Sequence, residues 1–302
     1  MRQCIDKHCA RRVTSQQSDS DHFSLAINYI DETTVFAILF LPISISFSIS
    51  GLGDSADGFT DVAATLTNSM PHVKFIVPTA GNRRVTISGG MQMNAWYDIT
   101  GLTDVSANEC DGIDGSVAIV RDIMQNEINL GIRSDRIVLA GFSQGGALSL
   151  FTGLQLPIEL KPAGVLVMSG YIPGASRFKI TPGLEGVPVM HLHGTADNVV
   201  NFDHADKTRK HVTEKGLKSY TVKPYHNVGH TINPDMLAAA VEFILSRVPD
   251  DPELRVKPKD PSDMTVKELK EAIRRVGLSS KSLGFFEKRE FVELLEGYYR
   301  TL

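Results

Sequence analysis

Apolar and polar positions recur along this chain with two periods, and the two take turns. Period two is clearest in Ile43-Ser44-Ile45-Ser46-Phe47-Ser48-Ile49-Ser50, which predicts a strand. Short apolar runs bounded by turn residues predict further strands at residues 73–77, 136–140, 164–168, 187–192 and 220–225. Between them the spacing becomes helical. Residues 57–69 carry Phe59, Val62, Ala63 and Leu66 on one face; residues 111–130 carry Ile113, Val117, Val120, Met124 and Ile128 and stop at Gly131. Helices are also predicted from Gly146 onward and over 234–248, where Met236, Leu237, Ala240, Phe243, Ile244 and Leu245 form the apolar face. Strands alternating with helices predict an α/β fold, a mostly parallel sheet covered on both faces. Ligands of such sheets gather at the carboxyl ends of the strands.

The pattern also divides the chain. Residues 1–33 are polar and lack periodicity, which predicts a disordered extension. The stretch 35–50 is the most hydrophobic in the chain, but it is short for a membrane span and is interrupted by Pro42 and four serines, so a strand is the better reading. It also lies too far from Met1 to fit the layout of a signal peptide. Residues 79–108 read as one long loop around Trp96, a residue that suits either a core plug or a site wall. The α/β domain is thus expected over 34–248. A proline-rich, charged linker follows over 249–263, and a small helical module over 264–302. In that module Thr265 caps a helix bearing Val266, Leu269, Ile273 and Val276, and a second helix from Glu287 to Tyr299 turns Phe291, Leu294 and Leu295 inward.

Composition narrows the classes. The chain has 302 residues, 42% of them hydrophobic, enough for a sizeable core. A net charge of -4 with a pI near 6.1 argues against a chain-wide basic surface for nucleic acid. Three cysteines, Cys4, Cys9 and Cys110, make no disulfide framework and predict a reducing, cytoplasmic setting. Cys4 and Cys9 flank His8, but with no second pair downstream they make a poor zinc site, and no metal is predicted.

The chemistry concentrates at Gly141-Phe142-Ser143-Gln144-Gly145, between a predicted strand and a predicted helix. This is the setting of a nucleophile elbow. Flanking glycines permit the tight turn, and the helix N-terminus favours developing negative charge at the serine. Ser143 is therefore the candidate nucleophile. A serine needs a base, and the base needs an orienting carboxylate. Chain order in this kind of fold is Ser, Asp, His, each in a loop after a strand, which selects Asp197 and His230. Of the rivals, His191 reads as a core residue and His193 as a shaper of its loop. His204 and His211 read as a solvated face, Asp203 and Asp206 as surface carboxylates. His226 lies close to the strand for a base. The oxyanion would be held by the backbone N–H of Gln144 and of Leu52, the latter in the Gly51-Leu52-Gly53-Asp54 loop.

Together with these, Ala95-Trp96-Tyr97-Asp98-Ile99, Gly145-Gly146-Ala147, His193-Gly194 and Gly229-His230 resemble the acyl-protein thioesterase family, also called the phospholipase/carboxylesterase family. The resemblance spans about residues 50–248. It implies an α/β-hydrolase fold without a cofactor, and hydrolysis of S-palmitoyl thioesters on proteins, of lysophospholipids or of carboxylic esters. The family's catalytic residues carry over to Ser143, Asp197 and His230, and its oxyanion donors to Leu52 and Gln144. The acyl chain would run near the Trp96 loop, which makes Trp96 a candidate substrate-binding residue. One departure is Ser50, where family members carry a histidine. The alternatives are a general carboxylesterase or lysophospholipase, or a hydrolase-like scaffold that acts by binding through residues 264–302.

The pattern VKELKEAIRRVGL followed by EKREFVELL resembles a SAP-like helix-loop-helix module, which implies a protein or nucleic-acid partner. Lys267, Lys270, Arg274, Arg275 and Lys281 could meet phosphates, but Glu268, Glu271, Glu287, Glu290, Glu293 and Glu296 interleave with them, so a solvated face or protein docking is favoured. Acylated substrates would also bring transient contact with a membrane surface.

Overall fold

The computed structural model describes residues 34–35, 44–49, 51–55, 58, 60–103, 108–254, 259–276 and 278–300. The expectations for residues 1–33, for Cys4 and Cys9, and for Ser50 fall outside that set.

Among the described residues, nine strands form two sheets. The main one contains β1 (Thr34–Val35), β2 (Ser44–Ile49), β3 (Val73–Val77), β6 (Ile137–Phe142), β7 (Gly164–Met168), β8 (Val189–Gly194) and β9 (Tyr220–Tyr225), in the order β1-β3-β2-β6-β7-β8-β9. β1 is antiparallel to β3, and every other pairing is parallel. The second half of the hydrophobic stretch is thus a central strand, with Phe47 opposite Ile76 on one side and Leu139 on the other.

Strands β6 and β7 are apolar without interruption because both their faces are covered. Ile137 and Leu139 point into one core with Val165, Val167, Trp96 and Tyr97, while Val138 and Ala140 point into the other with Leu166, Met168 and Leu192. Helices α1 (Thr60–Ser69) and α5 (Pro234–Arg247) cover the second face through Leu66, Met236, Ala240, Phe243 and Ile244. The first is covered by α2 (Ile113–Asn129) and α3 (Gln144–Gly153), with α4 (Asp203–Glu214) adding Val212. Asn233 caps α5, accepting the Met236 N–H at 2.8 Å, and Pro234 occupies a position whose N–H the helix does not need. β9 is the far edge, and its Pro224 and Lys223 suit a strand with one unpaired side.

Two expectations need correction. The stretch 79–108 is not one loop: β4 (Asn82–Val85) and β5 (Met91–Asn94) form an antiparallel hairpin. Its strands are mostly exposed, so no apolar alternation marks them, and Gly89 and Gly90 turn the chain with φ of 68° and 77°. His204 is not on a solvated face either. It is buried on the inner side of α4 with Ala205, Thr208 and Val212.

Helices α6 (Val266–Arg275) and α7 (Lys288–Tyr299) follow, around a core of their own made of Met264, Leu269, Ile273, Phe291 and Leu295. α6 opens with a capping box: Thr265 Oγ1 accepts the Glu268 N–H at 3.2 Å, and Glu268 accepts the Thr265 N–H at 2.6 Å. The Thr265 N–H and the Thr265 hydroxyl beside the carboxylate, followed by the Lys259 ammonium, lower the Glu268 carboxyl to about 2. No helix among the described residues is long and apolar enough to cross a membrane.

Candidate active site

Strand order reverses between β2 and β6, and the loops that leave these neighbours at their carboxyl ends meet there. Ser143 follows β6 directly with φ 54° and ψ -120°, a conformation L-residues rarely adopt, and α3 starts at the next residue. The turn is tight enough to demand glycine at 141, where a Cβ would stand 2.3 Å from the Gly145 carbonyl. The strained backbone is tied down at both ends. Ser143 N–H donates to Met168 O at 2.8 Å, and Ser143 O accepts from Ala147 N–H at 3.0 Å.

His230 reaches this serine from the loop after β9. Its Nε2 is 3.0 Å from Ser143 Oγ and its Nδ1 2.7 Å from Asp197 Oδ2, at the end of the loop after β8. A carboxylate only accepts, so Nδ1 carries the proton and Nε2 is left to accept the serine hydroxyl. The two loops close on each other through Gly194, where a Cβ would lie 2.2 Å from Val228 O, and through Ala196 N–H donating to that same oxygen at 3.0 Å. The Phe142 ring lies beside the imidazole, 4.7 Å between centroids.

Asp197 is 3% exposed and surrounded by donors. Oδ1 accepts the N–H groups of Val199 at 3.0 Å and Val200 at 2.8 Å; Oδ2 accepts from His230 and lies 3.3 Å from His193 Nε2. Burial alone would raise its carboxyl. The bonds from His193, His230 and Val200 outweigh that and hold it well below the usual range. The site therefore keeps a buried carboxylate charged beside His230 Nδ1.

The Gly51-Leu52-Gly53 loop follows β2 and lies against Ser143: a Cβ on Gly51 would be 3.5 Å from Ser143 Cβ. Gly53 N–H donates to Asn94 O at 2.8 Å, so hairpin β4–β5 braces this loop. The Gln144 amide is the first of α3, among the N–H groups that helix geometry leaves without an intrahelical acceptor. Its side chain has a part that sequence reasoning missed. It is 1% exposed; Oε1 accepts the Trp96 N–H at 2.9 Å and Nε2 donates to Tyr97 O at 2.8 Å. The motif string held the signal, but a polar residue inside a helix start gives no hint of its distant partner. Trp96 is 1% exposed and belongs to the core, and its carbonyl accepts from Ser116 Oγ.

Of the rivals, His226 is exposed and Asp203 and Asp206 lie on the outer face of α4. His193 does hold its loop, with Nε2 2.8 Å from Val200 O, and His191 is buried beside it. Among the described residues no three His, Cys, Asp or Glu side chains are grouped to hold a metal ion.

A serine, an imidazole and a buried carboxylate linked in this order can pass a proton from hydroxyl to imidazole and back. The family model for Phospholipase/Carboxylesterase matches residues 49–247. The chain belongs to this family. As a member of the phospholipase/carboxylesterase family it is a hydrolase with the α/β-hydrolase fold. Relatives include acyl-protein thioesterase 1 of Neurospora crassa, 38% identical over 67% of this chain and 85% of that one. Acyl-protein thioesterase 1 of Mycosarcoma maydis is 33% identical over 69% and 92%. The crystal structure of Arabidopsis thaliana SOBER1 superposes with a TM-score of 0.62 at 26% identity, covering 68% of this chain and 99% of that one. For the Zea mays acyl-protein thioesterase 2 structure the TM-score is 0.65 at 24% identity, with 72% and 98% covered, a likeness of fold. None of these matches spans the whole of this chain.

Proposed function

We propose that this chain is a serine hydrolase that removes S-acyl groups, palmitoyl above all, from proteins through an acyl-enzyme. The observation that carries the reading is His230 standing between Ser143 Oγ and Asp197 Oδ2 at 3.0 and 2.7 Å. Ser143 Oγ attacks the acyl carbon as its proton passes to His230 Nε2. The backbone N–H groups of Leu52 and Gln144 hold the oxyanion. Collapse breaks the C–S bond, and the leaving thiolate takes the proton from His230. Water then gives a proton to His230 and attacks the acyl-enzyme, releasing the fatty acid and restoring Ser143. Asp197 keeps Nδ1–H in place and faces the imidazolium that forms. The thioester preference is supported by relatives whose names are acyl-protein thioesterase and whose own length is covered to 85% and more.

Hydrolysis of a palmitoyl thioester is measured against the matching oxygen ester, with Ser143→Ala as control. Thioester cleavage lost in the control supports the reading. Preference for the ester, by contrast, moves the chain to a general carboxylesterase or lysophospholipase. No serine-dependent cleavage of either, from folded protein, leaves the scaffold reading.

Helices α6 and α7 serve to dock protein rather than nucleic acid. Several of their cations are already paired, Arg274 with Glu271 at 2.8 Å and Arg289 with Glu293 at 2.6 Å, while Leu283 and Phe286 are 80% and 94% exposed. A Leu283→Ser/Phe286→Ser variant should lose rate on an acylated protein and keep it on a small thioester. Equal rates on both substrates would refute this role.

A further inference from the structure

The hydrogen-bonded line through Ser143, His230 and Asp197 continues beyond the carboxylate. His193 Nε2 is 2.8 Å from Val200 O and 3.3 Å from Asp197 Oδ2; its Nδ1 is 3.1 Å from His191 Nε2. His191 Nδ1 in turn is 2.8 Å from the Tyr220 hydroxyl on the neighbouring strand β9. Both imidazoles have 0% exposure.

The acceptors beside His193 Nε2 fix one proton, and a neutral His193 ring orders the rest. A carbonyl and a carboxylate oxygen both accept, so His193 Nε2 must carry hydrogen. In a neutral ring His193 Nδ1 is then an acceptor, which requires hydrogen on His191 Nε2. That leaves His191 Nδ1 as an acceptor, and the Tyr220 O–H is the donor that fills it. The donors therefore run one way: Tyr220 to His191, His191 to His193, His193 to Asp197. Hydrogen bonds converge on Asp197 Oδ2 from both sides, His193 at 3.3 Å and His230 at 2.7 Å.

We propose that His191 is a positioning residue: directed by Tyr220, it fills His193 Nδ1 with a donor, so that His193 stays a neutral N–H donor and the Asp197 charge is kept for His230. This rests on the catalytic roles given above to Ser143, Asp197 and His230. Without His191, His193 has a vacant Nδ1, on a ring whose Nε2 lies 3.3 Å from a carboxylate. A proton taken up there makes an imidazolium that competes with His230 for the same charge. The groups facing this line are His191 and Asp197 from the β8 side, Tyr220 from β9 and His230 from the next loop. Arg209 of α4 acts on the Tyr220 hydroxyl against the upward push of burial. Burial, followed by the neighbouring His193, holds His191 well below the usual imidazole range, in keeping with a neutral ring.

The test compares His191→Leu, which leaves His193 Nδ1 vacant, with His191→Gln, which offers an N–H and a carbonyl at similar reach. kcat/KM and KM are followed from pH 6 to 9 on a thioester. His191→Leu should fall relative to wild type by about tenfold at pH 6, the effect of one unit of coupling, and recover toward pH 9 with KM unchanged. His191→Gln should keep the wild-type profile. A loss equal at every pH marks a merely structural role and overturns the proposal, as does an unchanged His191→Leu profile. A second measurement needs no variant. In wild-type protein labelled with 15N at histidine, His193 should show hydrogen on Nε2 alone at pH 6, and hydrogen on Nδ1 overturns the assignment. Activity surviving in Ser143→Ala would instead sink the catalytic frame and leave that 15N result standing.

Discussion

Gln144 holds Trp96 across 48 residues of chain, its Oε1 accepting the Trp96 N–H at 2.9 Å. Its other end donates to the Tyr97 carbonyl. The residue beside the nucleophile is thus also a peptide-like clamp on the strip that follows hairpin β4–β5. Gln144→Ala removes both of these buried hydrogen bonds and should destabilise the protein by about 3 kcal/mol. Urea unfolding measures this, and a change below about 1 kcal/mol would show that the clamp is dispensable.

In the proposed mechanism Ser143 and His230 act on one proton, so their effects do not add. Ser143→Ala and His230→Ala should each lower kcat by about 10⁴-fold or more, and the double variant should be no worse than the single ones. Multiplying losses would mean that the two residues work in separate steps.

Asp197→Asn keeps the shape but offers Nδ1–H of His230 an amide, and should lower kcat by about 10⁴-fold. It also bears on acid stability. The Asp197 carboxyl sits below its unfolded value because the bonds from His193, His230 and Val200 outweigh the upward push of burial. A depressed carboxyl stabilises fully above the unfolded pKa of about 4, and the gain disappears as pH falls through the folded value. Wild type should therefore lead the variant by a constant margin from pH 7 to 5, and by less at pH 3. Denaturant midpoints at those pH values decide it; a margin that grows in acid contradicts the assignment.

Cys110 is buried at 3% exposure, and burial pushes its thiol up to about 11. At pH 8 only roughly one in a thousand such thiols is ionised. Iodoacetamide should leave Cys110 unmodified in native protein and label it in urea, as peptide mass mapping would reveal. Rapid native labelling would show that the packing around it opens.

Long apolar runs such as β6 and β7 were legible because a strand buried on both faces leaves no ambiguity of period. Ser143, Asp197 and His230 were legible as candidates because each follows a predicted strand in the chain order Ser, Asp, His, and the structure brings these three together. Hairpin β4–β5 was not, since Met91 and Gln92 are exposed and no core imposes a pattern on them. Nor was the burial of His204, because α4 is polar enough to look solvated and packs through a few small positions. Reach across the chain is the deeper limit: no local signal ties Gln144 to Trp96 or His191 to Tyr220, which meet only when strands from distant segments line up.

His230 lies 87 residues after Ser143 in the chain, on the loop that leaves the last strand of the sheet. At a ribosome's pace of 5–20 residues per second, that separation is roughly 4 to 17 s of synthesis. Throughout it the nascent chain has its serine and no imidazole to activate it. The Ser143–His230 contact of the proposed triad therefore cannot form until the chain beyond β9 has been made.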